Sequence, residues 1–181
     1  MLNRTLAPES KQISEINFIK PLAQHLDNGI PVFTVNAGQQ ELVRIEFVFR
    51  NVNWDESKPL QALTVSHLIN NGTPDLSARD IAEKVDFYGA FLQTEYGADQ
   101  CSVKLYSLNK HLGTVLPILY SILNESIFPE KELAIFVQNQ KQSLSVSLQK
   151  NDFLARKQFA NALFGDTPYG SNISASNYDG I

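Results

Sequence analysis

The chain has 181 residues, 43% of them hydrophobic and 19% charged, enough for one globular domain with its own core. A net charge of -4 with scattered Lys and Arg excludes a general nucleic-acid binder, which needs clustered cations to neutralise phosphates. No apolar stretch approaches the roughly 20 residues that span a bilayer, so no membrane association is expected.

The start, Met1 to Pro8, contains no apolar core of signal-peptide length. The single cysteine, Cys101, excludes an internal disulfide and a Cys-based zinc knuckle, and leaves the compartment open. Cytoplasmic is the default; periplasmic is the alternative if an upstream signal has been removed.

Residues 1–21 read as an irregular N-terminal arm and 22–181 as the domain. Two short apolar runs, Leu22 to Leu26 and Ile30 to Val35, flank Asp27-Asn28-Gly29, the chemistry of a tight hairpin turn. In Leu42 to Arg50, Val43, Ile45 and Phe47 alternate with Arg44, Glu46 and Val48, the period of a half-buried strand. A helix is predicted from Pro59 to about Asn71, with Leu60, Leu63, Thr64, His67 and Leu68 on one face. Asn70-Asn71-Gly72 is expected to end it, Gly72 in a left-handed conformation. Ser77-Ala-Arg-Asp80 looks like the N-cap of a second helix, Ala78 to Tyr88, closed by Gly89.

Strands follow at Phe91–Tyr96 and Gln100–Leu108. A helix from Lys110 to about Ser126 carries the stripe Leu112, Val115, Leu116, Leu119 and Leu123. Pro129 then begins a long helix to about Lys150, and a last helix spans roughly Asp152 to Phe164. The tail, Gly165 to Ile181, shows no period. Three strands, two helices, two strands and three helices indicate an α+β fold: an antiparallel (mixed) sheet covered on one face by helices.

Several segments, in this order, carry a resemblance. They are Leu26-Asp-Asn-Gly29, His67-Leu-Ile-Asn-Asn-Gly-Thr73, Gly89-Ala-Phe-Leu-Gln-Thr94, Phe128-Pro-Glu130 and Phe164-Gly-Asp-Thr-Pro-Tyr-Gly170. Together they resemble the N-terminal domain of the insulinase/pitrilysin family of zinc peptidases, which includes the mitochondrial processing peptidases, over roughly residues 22–181. The resemblance implies chains with two related domains, of which this one stops before the last elements of the first.

Active members of that family carry His-x-x-Glu-His on the first long helix. Its two histidines bind zinc, its glutamate is the general base, and a glutamate on the long later helix completes the ligands. With Gly72-Thr73 setting the register, His67 matches the second histidine. Leu63 stands at the first, Ser66 at the base, and Gln142-Ser143-Leu144 where the distal glutamate is expected. One chemical group of four is retained. The resemblance therefore implies a non-catalytic member that holds no zinc and has no catalytic residues of its own.

Other residues allow two readings. His67 is either a residual metal ligand or a partly buried helix histidine hydrogen-bonded to a neighbour, and the ligand count favours the second. Ser66 has no base or oxyanion device in the sequence around it and does not read as a nucleophile. Cys101 alternates with core residues and reads as a small buried hydrophobe. Trp54 is either a partner-contact anchor or a side chain folded onto its own domain. The strand containing Leu92, Gln93, Thr94 and Glu95 corresponds to the family's substrate-pairing edge. It is a candidate peptide-binding strand or an ordinary edge blunted by Glu95.

The expected function is to enclose and position peptide substrates for an active, zinc-bearing family subunit or second half. The alternatives are an active zinc metalloendopeptidase with a rearranged site and a purely structural assembly subunit.

Overall fold

The computed structural model describes residues 16–52 and 54–181; most of the expected arm, residues 1–15, lies outside them. The chain divides into two compact units between residues 40 and 41. The described part of the first unit is a hairpin. β1 (Leu22–His25) pairs antiparallel with β2 (Pro31–Thr34), with Leu22 opposite Thr34 and His25 opposite Pro31. Gly29 takes φ +81° in the turn, a conformation that a Cβ disfavours. Leu26 N donates to Ile30 O at 2.9 Å, and Asn28 Oδ1 accepts from Ile30 N at 3.1 Å.

The second unit is built on β3 (Leu42–Arg50), β4 (Phe91–Tyr96) and β5 (Gln100–Leu108), all antiparallel in the order β3-β5-β4. Its helices are α1 (Gln61–Leu68), α2 (Ala78–Phe87), α3 (Leu112–Glu125), α4 (Glu130–Ser147) and α5 (Asn151–Phe164). Within this unit β3 pairs with β5, where Ile45 faces Leu105 and Phe47 faces Val103 across the ladder. The fold is α+β, with helices on one face of the sheet.

Period 2 explains which face is covered. Val103 and Leu105 point into a core closed by Ile81 and Val85 of α2 and by Val115, Ile118, Leu119 and Ile122 of α3. Each such side chain contributes about 1.5–3 kcal/mol by leaving water. The opposite face is polar. There Lys104 bridges Glu95 of β4 and, at 3.6 Å, Glu46 of β3.

Three local expectations need correction. The buried stripe of α3 is Val115, Ile118, Leu119 and Ile122, whereas Leu116 is exposed. The helix is apolar on more than one face, so its period alone did not fix the inward side. The first helix stops at Leu68, with Asn71 N closing a turn onto Leu68 O at 3.0 Å. Gly72 is not left-handed; it forms a β-bridge with Ser77. Glycine is needed there for close approach, because a Cβ would lie 2.9 Å from Pro129 Cγ. The Ser77 cap is present in full: its side chain accepts from Asp80 N while Asp80 accepts from Ser77 N.

The aperiodic tail is tied down. Ser174 and Asn177 cap a short 3-10 turn, Ala175–Gly180, and Tyr178 is buried. Lys157 Nζ donates to Ile173 O at 2.6 Å, and Lys141 pairs with Asp179.

Candidate functional site

α1 packs against β4 and β5, which brings the motif positions beside the sheet edge. Leu63 is half-buried, Ser66 is buried, and His67 is exposed. The expectation of a partly buried, hydrogen-bonded histidine is corrected: the imidazole lies in the open against Phe136 of α4, with ring centroids 5.2 Å apart and planes tilted by 37°. Consecutive helix residues differ by 100°, so a buried Ser66 places His67 off the inward side.

The α4 residue that meets His67 is thus a buried phenylalanine. Gln142 and Ser143, both exposed, stand six and seven residues further on, about 9–10 Å along the helix. An imidazole, a serine hydroxyl, an amide and two apolar side chains do not make a zinc donor set, which needs three protein ligands with deprotonated or neutral N, S or O donors. Among the described residues, no group of three His, Cys, Asp or Glu side chains is placed to hold a metal ion. Ser66 is buried, 6% exposed.

β4 is an edge of its sheet among the described residues, paired only with β5. Leu92, Gln93 and Thr94 are half-buried and Glu95 is exposed. Thr94 stands opposite Val103, on the helix-covered face. Gln93 and Glu95 share the other face, where Gln93 Nε2 donates to Glu95 Oε1 at 2.7 Å and the Lys104 ammonium pairs with Glu95. The hydrogen bond that Lys104 Nζ donates to Glu95 holds the Lys104 pKa above its ordinary value. Glu95 is therefore committed along the strand's face.

Two cavities adjoin α1. One, of about 500 Å³, is mainly apolar and lined by Leu60, Leu68, Phe128, Leu133 and Ile181; Thr64 also borders it. The other, of about 250 Å³, lies at the end of β3 and β4 and includes Arg50, Trp54, Lys58 and Tyr96. Trp54 is half-buried in its wall, so the indole folds onto its own domain. Sequence reasoning singled out Trp54 but not its neighbours. Arg50, Lys58 and Tyr96 come from a strand end, a loop and another strand end, and no spacing signals their convergence. Cys101 is half-buried, its sulfur 3.4 Å from Asn51 Oδ1.

No family model matches the chain. It is 27% identical over 150 residues to an uncharacterized zinc protease of Rickettsia felis, a match that covers 82% of this chain and 36% of that protein. It is similar in structure to the peptidase M16 inactive domain of Pseudomonas fluorescens (TM-score 0.76, 18% identity), covering 88% of this chain and 42% of that one. A protease of Helicobacter pylori is similar as well (TM-score 0.77, 16% identity), with 91% and 41% covered. The chain thus spans less than half the length of each of these relatives.

Proposed function

We propose that the chain is a non-catalytic half or subunit of the insulinase-like (M16) peptidase family, a reading supported by its likeness to a zinc protease of Rickettsia felis and to M16 peptidase structures. Its role is to enclose and position peptide substrate for a zinc-bearing partner of the same family. One observation carries this reading: His67, the one retained motif position, packs on the apolar ring of Phe136, and β4, the strand that α1 packs against, keeps an unpaired edge among the described residues. In this reading the domain holds no zinc, and the hydrolytic chemistry belongs to the partner.

Backbone pairing explains how such a half handles peptide without chemistry of its own. An edge strand offers amides and carbonyls that recognise an extended chain with little regard to its sequence. The proposed contact strand is Leu92, Gln93, Thr94 and Glu95. A partner is supported by α5, which buries none of its side chains and leaves Phe159 and Leu163 well exposed one helical turn apart.

Peptide capture by this chain paired with a family member carrying His-x-x-Glu-His tests the proposal. Thr94→Pro removes a backbone donor from the edge. Capture that falls in the variant while the pair still assembles supports substrate handling. Unchanged capture removes the edge strand from the reading and leaves assembly as the role.

A further inference from the structure

At the end of the sheet the strands run into a small pocket with an excess of positive charge. β3 ends there at Arg50 and β4 at Tyr96, the turn after β4 contributes Ala98, and Trp54, Lys58 and the first turn of α1 close it. Its volume of about 250 Å³ lies below the range of roughly 300–1,000 Å³ typical of drug-sized ligands. It suits one or two side chains.

The charges in its wall do not cancel. Asp55 is the single carboxylate among the lining residues, and it is already engaged, accepting from Ser57 N at 2.8 Å and Ser57 Oγ at 2.7 Å. Those bonds, and to a lesser degree the charge of nearby Lys58, hold its pKa below the ordinary carboxylate value, so it stays ionised and offsets one of the two positive charges. Arg50 and Lys58 form no ion pair among the described residues. The first turn of α1 contains no acidic residue and no side-chain cap, so the positive end of the helix dipole adds to the same sign. Trp54 and Tyr96 supply flat apolar faces beside the cations. The frame is braced: Asn51 Nδ2 donates to Gly97 O at 2.6 Å and Asn51 N to Asp99 O at 2.8 Å.

We infer that this pocket receives a carboxylate carried by a peptide, either an acidic side chain or a free C-terminus, between Arg50 and Lys58. A guanidinium forks onto a carboxylate through two parallel donors, and a nearby ammonium adds a point charge. The inference deepens the proposed function and rests on it for the peptide carrier. A segment lying along Leu92 to Glu95 reaches Tyr96 with its next residue, because extended residues advance about 3.3 Å each.

Trp54 is the only tryptophan in the chain, so its fluorescence reports the pocket directly. The full chain is titrated with three short peptides of one neutral sequence. The first has a free C-terminal carboxylate, the second a C-terminal amide, and the third an amide with one internal glutamate. The expected result is saturable binding with the neutral amide weaker than an acidic form by on the order of tenfold. The form that binds best identifies the source of the carboxylate. Arg50→Gln combined with Lys58→Gln removes the difference, and Arg50→Lys retains part of it; both positions are exposed, and circular dichroism checks that the fold is kept.

Equal binding of all three peptides, no saturable change with any of them, or an unaltered preference in the double variant overturns the proposal. So does sodium acetate matching the acidic peptides in affinity, which would mark the pocket as a site for small anions. Thr94→Pro separates the two readings. Weakened binding with the acidic preference intact supports both, whereas unchanged binding with that preference intact removes the β4 edge and leaves the pocket standing.

Discussion

The imidazole of His67 and the phenyl ring of Phe136 join α1 to α4, 5.2 Å apart between centroids. His67 contributes little to that contact because it is exposed, whereas Phe136 is 8% exposed and belongs to the interior. Phe136→Ala is expected to cost about 3–5 kcal/mol, as for other buried aromatic truncations. His67→Ala should stay within about 0.5 kcal/mol of the parent. Chemical denaturation of the two variants measures both, and a larger loss at His67 would show it to be structural.

Gly72 is held by its neighbour's ring. A methyl group there meets Pro129 Cγ at 2.9 Å, and a proline ring cannot swing aside. Gly72→Ala is therefore predicted to destabilise by about 1–3 kcal/mol through overcrowding. Its positive signature is partial rescue by Pro129→Ala, read as a non-additive double-mutant cycle.

The Ser77–Asp80 box gives a pH signature. Hydrogen bonds from Ser77 hold the Asp80 pKa below its ordinary value of 3.8 in the folded chain. A carboxylate with a depressed folded pKa stabilises above the unfolded value, and that contribution disappears as pH falls through the folded one. Asp80→Asn should thus be less stable than the parent at neutral pH, and the gap should narrow below pH 3.8. Ser77→Ala should cost about 1 kcal/mol at neutral pH, measured by thermal unfolding.

The tail is predicted to be part of the folded unit. Tyr178 is 6% exposed, and burial raises its phenol pKa. Tyr178→Ala should lower the melting temperature and open the segment after Gly165 to limited proteolysis. Unchanged protection there would show that the tail is not anchored by Tyr178.

Much of the fold was legible in the sequence where local chemistry is unambiguous. Asn28-Gly29 marked the hairpin, alternation over β3 and β5 marked the strands, and Ser77 with Asp80 marked the start of α2. Legibility failed where tertiary contact decides. Gly72 has the composition of a helix stop, but its role is set by Pro129, 57 positions away in the chain. α3 has apolar residues on several faces, and only the packed sheet selects Ile118 and Ile122 over Leu116. At the candidate site, the residue types at Leu63, Ser66 and His67 are plain in the sequence. That Phe136 would meet His67, and that Arg50 and Lys58 would converge on Trp54, depends on how α4 and the strand ends are placed, which no sequence period encodes.

Bound zinc, measured by elemental analysis on protein purified without chelator and assayed in parallel for peptide cleavage, tests the proposal of a zinc-free, non-catalytic chain most directly. Substoichiometric zinc and no cleavage by the isolated chain are predicted, with cleavage appearing only when a His-x-x-Glu-His-bearing partner is supplied. One zinc per chain together with peptide hydrolysis by the chain alone would contradict the non-catalytic assignment.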